Sequence, residues 1–189
     1  NVRIARVDGT VRFLPHGIFR DCKLLKEVVF EEGAHTIGKR AFLNCTALTK
    51  VQLPSTLQKI LEGAFNCCKG LRSIELPLGL KVIGKYAFSY SNLRQLDAPA
   101  TVETIEKCAF AGCPHLESVV LPPRLDVIAH ELFMCCYQLR EIQIPATVES
   151  IGGSAFSTCR DLVHLDLSDC IHCVAIGCEA FLSCEQLSF

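Results

Sequence analysis

Apolar residues return along this chain at a fixed step. Isoleucines at Ile37, Ile60, Ile83, Ile105, Ile128, Ile151 and Ile176 open successive stretches, at intervals of 23, 23, 22, 23, 23 and 25 residues. A phenylalanine keeps the same step at Phe19, Phe42, Phe65, Phe88, Phe110, Phe133, Phe156 and Phe181, so eight of the 11 phenylalanines share one repeat position. Self-similarity at a period of about 20–50 residues predicts a solenoid, in which each unit buries its apolar side against its neighbours. Residues 1–189 are therefore expected to form one continuous array of about eight units of ~23 residues. The array is expected to begin and end inside a unit, leaving apolar end surfaces through which chains could associate.

Each unit closes on an alternation of apolar and polar residues, as in Val51-Gln52-Leu53 and Ile142-Gln143-Ile144. That is the period of a half-buried strand. Proline follows at Pro54, Pro77, Pro99, Pro122 and Pro145; lacking a donor, it stops the ladder and keeps each strand short. A second alternation, such as Thr56-Leu57-Gln58-Lys59-Ile60, predicts a weaker ladder. The segment Gly-x-x-Ala-Phe-x-x-Cys spaces Ala and Phe four and three residues from Cys, which predicts one turn of α or 3-10 helix. The glycine after each isoleucine is expected at a bend of the backbone. Strands one repeat apart should pair in parallel, and the coil should wind right-handed. Two units depart in length: one residue is lost between Phe88 and Leu93, where Ser91 replaces the usual cysteine, and two are gained around Asp169 to Cys173.

The phrase Ile37-Gly38-Lys39-Arg40-Ala41-Phe42-Leu43-Asn44-Cys45, continued through Leu48, Val51, Leu53 and Pro54, resembles the BspA-like leucine-rich repeats. The match runs from about Ala5 to Phe189. Its departures are Ser91, Glu131-Leu132-Phe133 in place of Ala-Phe, and Ile105-Glu106 and Ile128-Ala129 in place of Ile-Gly. The resemblance implies an α/β repeat solenoid. In full, that is a right-handed leucine-rich-repeat superhelix with a parallel β-sheet on its concave face and short helical or 3-10 turns on its convex face. It also implies a role in protein recognition, bacterial members often being surface adhesins.

Thirteen cysteines would suggest disulfides or a metal, but seven of them (Cys22, Cys45, Cys68, Cys113, Cys136, Cys159 and Cys184) occupy one position, three after the phenylalanine. Such a column reads as small apolar filler with a weak donor for a turn carbonyl. Cys67 and Cys135 directly precede column members, so their side chains should point to the outer turn. Cys170-Ile171-His172-Cys173, with Cys178 nearby, has the spacing of a zinc or redox pair, although the second C-x-x-C of a full zinc site is missing. A ladder of unpaired thiols favours a reducing, intracellular compartment, with the cell surface or secretion as the alternative.

Charge adds mainly exclusions. A net charge of −1 leaves no broad basic field, which argues against nucleic acid, and no apolar run approaches the roughly 20 residues of a membrane-spanning helix. The six histidines are scattered over different repeat positions, and no glycine-rich phosphate loop appears. No enzyme, catalytic residue, cofactor or metal ligand set is expected.

The residues between the inward columns Leu25/Leu48/Leu71 and Val28/Val51/Ile74 should face solvent on the sheet. One exposed column is Glu27, Lys50, Ser73, Gln95, Ser118, Glu141 and His164; the next is Val29, Gln52, Glu75, Asp97, Val120, Gln143 and Asp166; Lys26, Thr49, Arg72, Arg94, Glu117 and Arg140 line the margin. These positions vary from copy to copy, as in a recognition surface. The candidate contacts with a protein partner are Lys50, Arg72, Glu75, Arg94, Asp97, Val120, Glu141, Gln143, His164 and Asp166. Arg72 and Arg94 beside Glu75 and Asp97 are expected to form a mixed-charge patch at the centre. The function predicted is a rigid, non-catalytic protein-interaction module, a segment of a larger scaffold. A surface adhesin or structural building block is the alternative, and a zinc- or redox-active protein centred on Cys170 and Cys173 the remote one.

Overall fold

The computed structural model describes residues 2–167, 169–170 and 175–188. Among these, fifteen short strands and no helix are found. The strand that closes each unit recurs as β1 (Ile4–Val7), β3 (Glu27–Phe30), β5 (Lys50–Gln52), β8 (Gln95–Asp97), β10 (Ser118–Val120), β12 (Glu141–Gln143) and β14 (His164–Asp166), but the one expected before Pro77 does not form. The second ladder is made of β2 (Phe13–Leu14), β4 (Thr36–Ile37), β6 (Lys59–Ile60), β7 (Val82–Ile83), β9 (Thr104–Ile105), β11 (Val127–Ile128), β13 (Ser150–Ile151) and β15 (Ala175–Ile176). All pairings are parallel and in repeat register, Glu27 opposite Lys50 and Ser118 opposite both Gln95 and Glu141.

One core runs along the stack. The leucines at 25, 48, 71, 93, 116, 139 and 162 are fully buried, as are six of the eight repeat phenylalanines. Rings from Phe19 to Phe181 form one continuous pile with centroids 5.0–5.9 Å apart and planes within 4–20° of parallel. Hydrogen-bonded strands lie about 4.7–4.9 Å apart. Equivalent points are thus more widely spaced in the ring pile than hydrogen-bonded strands are.

The expected helical turns are absent. In the coil from Gly38 to Cys45, the N–H groups of Ala41, Leu43 and Cys45 close turns onto Gly38, Arg40 and Phe42, while those of Arg40, Phe42 and Asn44 donate to Glu62, Ala64 and Asn66 of the next coil. A helix needs every N–H within its own turn; here every second one is spent on the neighbour. The geometry that allows this is a left-handed residue two before and two after the phenylalanine, for example Arg40 (φ 56°) and Asn44 (φ 61°) around Phe42. Among the described residues, thirteen left-handed positions are not glycine. Each costs about 1–2 kcal/mol, a strain repaid by the cross-coil hydrogen bonds.

The glycines after isoleucine serve closeness, not a left-handed bend. Gly38, Gly84, Gly152 and Gly177 have no positive φ, and a Cβ on any of them would collide with the backbone of the preceding coil, at Leu14, Glu62, His130 and Gly153.

Both ladders are interrupted. The long one stops at Ser73–Glu75, which pairs with neither β5 nor β8, and the short one stops between β9 and β11. In three coils a threonine past the proline donates its hydroxyl to a carbonyl of the coil before: Thr56 to Ala34 (2.9 Å), Thr101 to Leu80 (2.9 Å) and Thr147 to Leu125 (2.8 Å). The two interrupted coils carry Gly79 and Arg124 at that position, so they lack this clamp.

Two outcomes are expected. Phe110→Ala should lower unfolding stability by about 3–5 kcal/mol, whereas Gln143→Ala on the exposed face should change it by less than about 0.5 kcal/mol; equal effects in urea titrations would refute the facing of the columns. Arg124→Thr should install the missing clamp and raise stability by about 1 kcal/mol, and a loss instead would assign the interruption to another cause.

Candidate recognition surface

Alternation along each long strand sends the middle residue inward and its neighbours out. Lys50, Ser73, Gln95, Ser118, Glu141 and His164 are exposed in one column, and Gln52, Glu75, Asp97, Val120 and Gln143 in the other, while Glu27 and Val29 are half-buried. Register confirms the columns, with Asp97 opposite Val120 and Gln143 opposite Asp166. The side chain of Asp166 lies outside the described residues. Arg72, Arg94, Glu117 and Arg140 are exposed along the margin where the strands begin.

Two features mark the central patch. Arg72 and Arg94 make no ion pair with Glu75 or Asp97 among the described residues. Three residues of extended chain separate each arginine from its acid, roughly 10 Å at 3.3 Å per residue, so the charges form parallel stripes and stay unneutralised. Lys50, by contrast, is tied to Glu27 across one strand pair at 2.8 Å. In addition, the sheet opens at the patch: a cleft of about 450 Å³ lies between Thr49–Leu53 and Ser73–Glu75.

Two further notches fall at the length irregularities. Where the fourth coil is one residue short, a cavity of about 370 Å³ is lined by Tyr90, Asn92, Gly112, Pro114, Met134 and Tyr137. On the sheet side, a cavity of about 550 Å³ is bounded by Val120, Pro123, Glu141, Gln143, Ala146 and Asp169, the last of these belonging to the two-residue gain. Only the change in length signalled either notch in the sequence.

The cysteine column points inward and donates. Sγ of Cys45, Cys68, Cys113, Cys136, Cys159 and Cys184 lies 3.0–3.3 Å from the carbonyl oxygen of Phe19, Phe42, Phe88, Phe110, Phe133 and Phe156 in the preceding coil. Ser91, in the same column, is buried with its Oγ 3.3 Å from Sγ of Cys113. Burial pushes the Cys45 thiol up to about 12 and that of Cys113 to about 11 from an ordinary 9.0. Cys67 and Cys135 are half-buried at left-handed positions, outside the column.

Cysteine, acid and histidine converge where Cys108 donates to Glu131 (3.1 Å), which also meets His130 (3.0 Å). Burial and the carboxylate together hold the Cys108 thiol up at about 11, the opposite of what a nucleophilic thiolate needs. Cys170 is buried, with Sγ 3.5 Å from the Pro145 carbonyl, and Cys178 is exposed. Cys173 and His172 lie outside the described residues. Among the described residues no group of three or more His, Cys, Asp or Glu side chains is arranged to hold a metal ion, and no helix is long and apolar enough to cross a membrane.

Comparison with known proteins gives a consistent picture. A family model described as a BspA type leucine-rich repeat region matches residues 6–114 and 103–189, with six copies. A leucine-rich repeat protein of T. pallidum is 30% identical, with a TM-score of 0.80, over 89% of this chain and 79% of that one. Leucine-rich repeat proteins of Bacteroides ovatus (23% identity, TM-score 0.76, 98% of this chain) and Eubacterium ventriosum (19%, 0.73, 96%) share the fold. The chain spans 62% of the length of the first of these two and 51% of the second. No curated protein matches the sequence.

The thiol column makes stability depend on alkaline pH. In the unfolded chain the thiols ionise near 9.0, but in the folded chain Cys113 and Cys45 resist until about 11 and 12. Proton loss therefore favours unfolding, so stability should be complete below pH 9 and fall as pH rises toward 11–12. Urea midpoints across this range check it; a midpoint that does not fall with pH would mean the column is open to water.

Proposed function

The chain belongs to the BspA type leucine-rich repeat family, and from that premise we propose that it is a non-catalytic interaction module whose sheet face receives a protein partner. The observation that carries this reading is the contrast between invariant core columns and varied outward columns on one ladder. Rigidity is the mechanism: the ring pile and the cross-coil hydrogen bonds hold the outward side chains in place before the partner arrives, so docking loses less conformational entropy. The striped charges of Arg72, Arg94, Glu75 and Asp97 remain available because they do not neutralise one another, and charges of this kind steer encounter and set register. The other candidate contacts, Lys50, Val120, Glu141, Gln143, His164 and Asp166, extend the same face.

The direct test is affinity capture from the source cells with the wild-type chain and two charge variants as bait. Combining Arg72→Ala, Glu75→Ala and Arg94→Ala should weaken capture at least about tenfold, the scale of truncating interface hot spots, with thermal unfolding unchanged. Combining Lys59→Ala and Lys107→Ala, away from the long-strand face, should leave capture as it was. The reverse pattern would remove the sheet face from the function.

A further inference from the structure

On the reading that the sheet face binds a protein, we infer that the partner inserts an apolar side chain flanked by basic residues into the notch bounded by Val120, Pro123, Gln143 and Ala146. The floor is apolar: Val120 is 58% exposed on a strand whose neighbours in that column are polar, Asp97 and Gln143. The charges lining the notch are both carboxylates, Glu141 on β12 and Asp169 in the lengthened turn, and no lysine or arginine lines it. Both are exposed, and neither is in an ion pair among the described residues. Asp97, in register with Val120, adds a third unpaired carboxylate at the edge.

Charge complementarity selects the occupant. Three carboxylates around an apolar floor attract ammonium or guanidinium groups and repel acidic or phosphorylated segments, and their field reaches about 8 Å at physiological salt. An apolar side chain alone would gain burial on Val120 but leave the carboxylates without counter-charge. A lysine or arginine on either side of it supplies that charge and covers the floor with its own methylenes. At about 550 Å³ the notch falls in the size range of small-molecule pockets, about 300–1,000 Å³. It therefore receives a few side chains of an extended segment, not a folded domain.

The test uses the full chain and three short peptides, acetyl-Lys-Leu-Lys-Leu-Lys-amide, its Glu-for-Lys counterpart and its Gly-for-Leu counterpart, followed by amide chemical shifts. The Lys–Leu peptide should shift the amides of 118–121 and 141–144. Its affinity should fall several-fold as ionic strength rises from about 0.02 to about 0.5 M, and at least about fivefold in Val120→Ser or in Glu141→Gln with Asp169→Asn. The other two peptides should bind several-fold more weakly. Equal binding of the Glu–Leu peptide, no shifts from the Lys–Leu peptide, or shifts confined to the surroundings of Arg72 and Arg94 would overturn the inference. Capture through the sheet face is read independently by the Arg72, Glu75 and Arg94 variants, so the two can fail separately.

Discussion

The spacing between coils governs everything else in this molecule, and it is set where backbone donors of one coil meet acceptors of the next beneath the phenylalanine pile. A repeat of ~23 residues offers little core of its own; its apolar side chains are dry only because identical side chains lie above and below. The ring pile supplies contact area, while the alternating N–H groups on the turn side supply direction, as a ladder does on the sheet side. The Phe carbonyl then accepts twice, from the cysteine N–H of its own coil and the cysteine thiol of the next, as Phe19 does from Cys22 and Cys45. A thiol suits that place because it fills an apolar gap and still donates.

The accounting of polar groups explains why the strain is tolerated. Left-handed conformations at Arg40, Asn44, Cys67, Tyr86, Tyr90 and their equivalents are unfavourable for L-residues taken singly, yet each turns one N–H toward the next coil. Leaving such a donor buried without a partner would cost about 1–3 kcal/mol, comparable with the strain. Threonine does the same work past the proline, and the ladders lapse in the two coils where Gly79 and Arg124 stand instead.

Much of this was legible in the sequence because a column in a solenoid is a column in the text. The leucine, phenylalanine and cysteine positions, the strands before Pro54, Pro99, Pro122 and Pro145 and the outward faces of Gln95, Ser118 and Glu141 all follow from one periodicity, whereas the strand expected before Pro77 does not form. The turn side was misread for a definite reason: Ala and Phe stand three or four residues before Cys both in a helical turn and in a run of alternating left-handed turns, so spacing cannot tell them apart. The glycines of Ile-Gly were read as bends alone, whereas the close approach of the preceding coil's backbone is what requires them. At the candidate site, which residues face outward was readable. Which charges pair was not: Lys50 with Glu27 depends on register across coils, and the isolation of Arg72 from Glu75 on distance along a strand.

The notches show how a scaffold with invariant spacing acquires local character. A residue lost near Tyr90 and two gained near Asp169 leave the core columns in register, because Phe88 still stacks on Phe110 at 5.5 Å and Phe156 on Phe181 at 5.6 Å. The lost residue is taken up at the rim beside Tyr90 and Asn92, so a cavity arises there without loss of dry contact. Substitution of outward residues changes the chemistry of the face, and insertion or deletion changes its relief. Because the ring pile transmits neither change, a unit can alter what it presents while its neighbours keep their geometry.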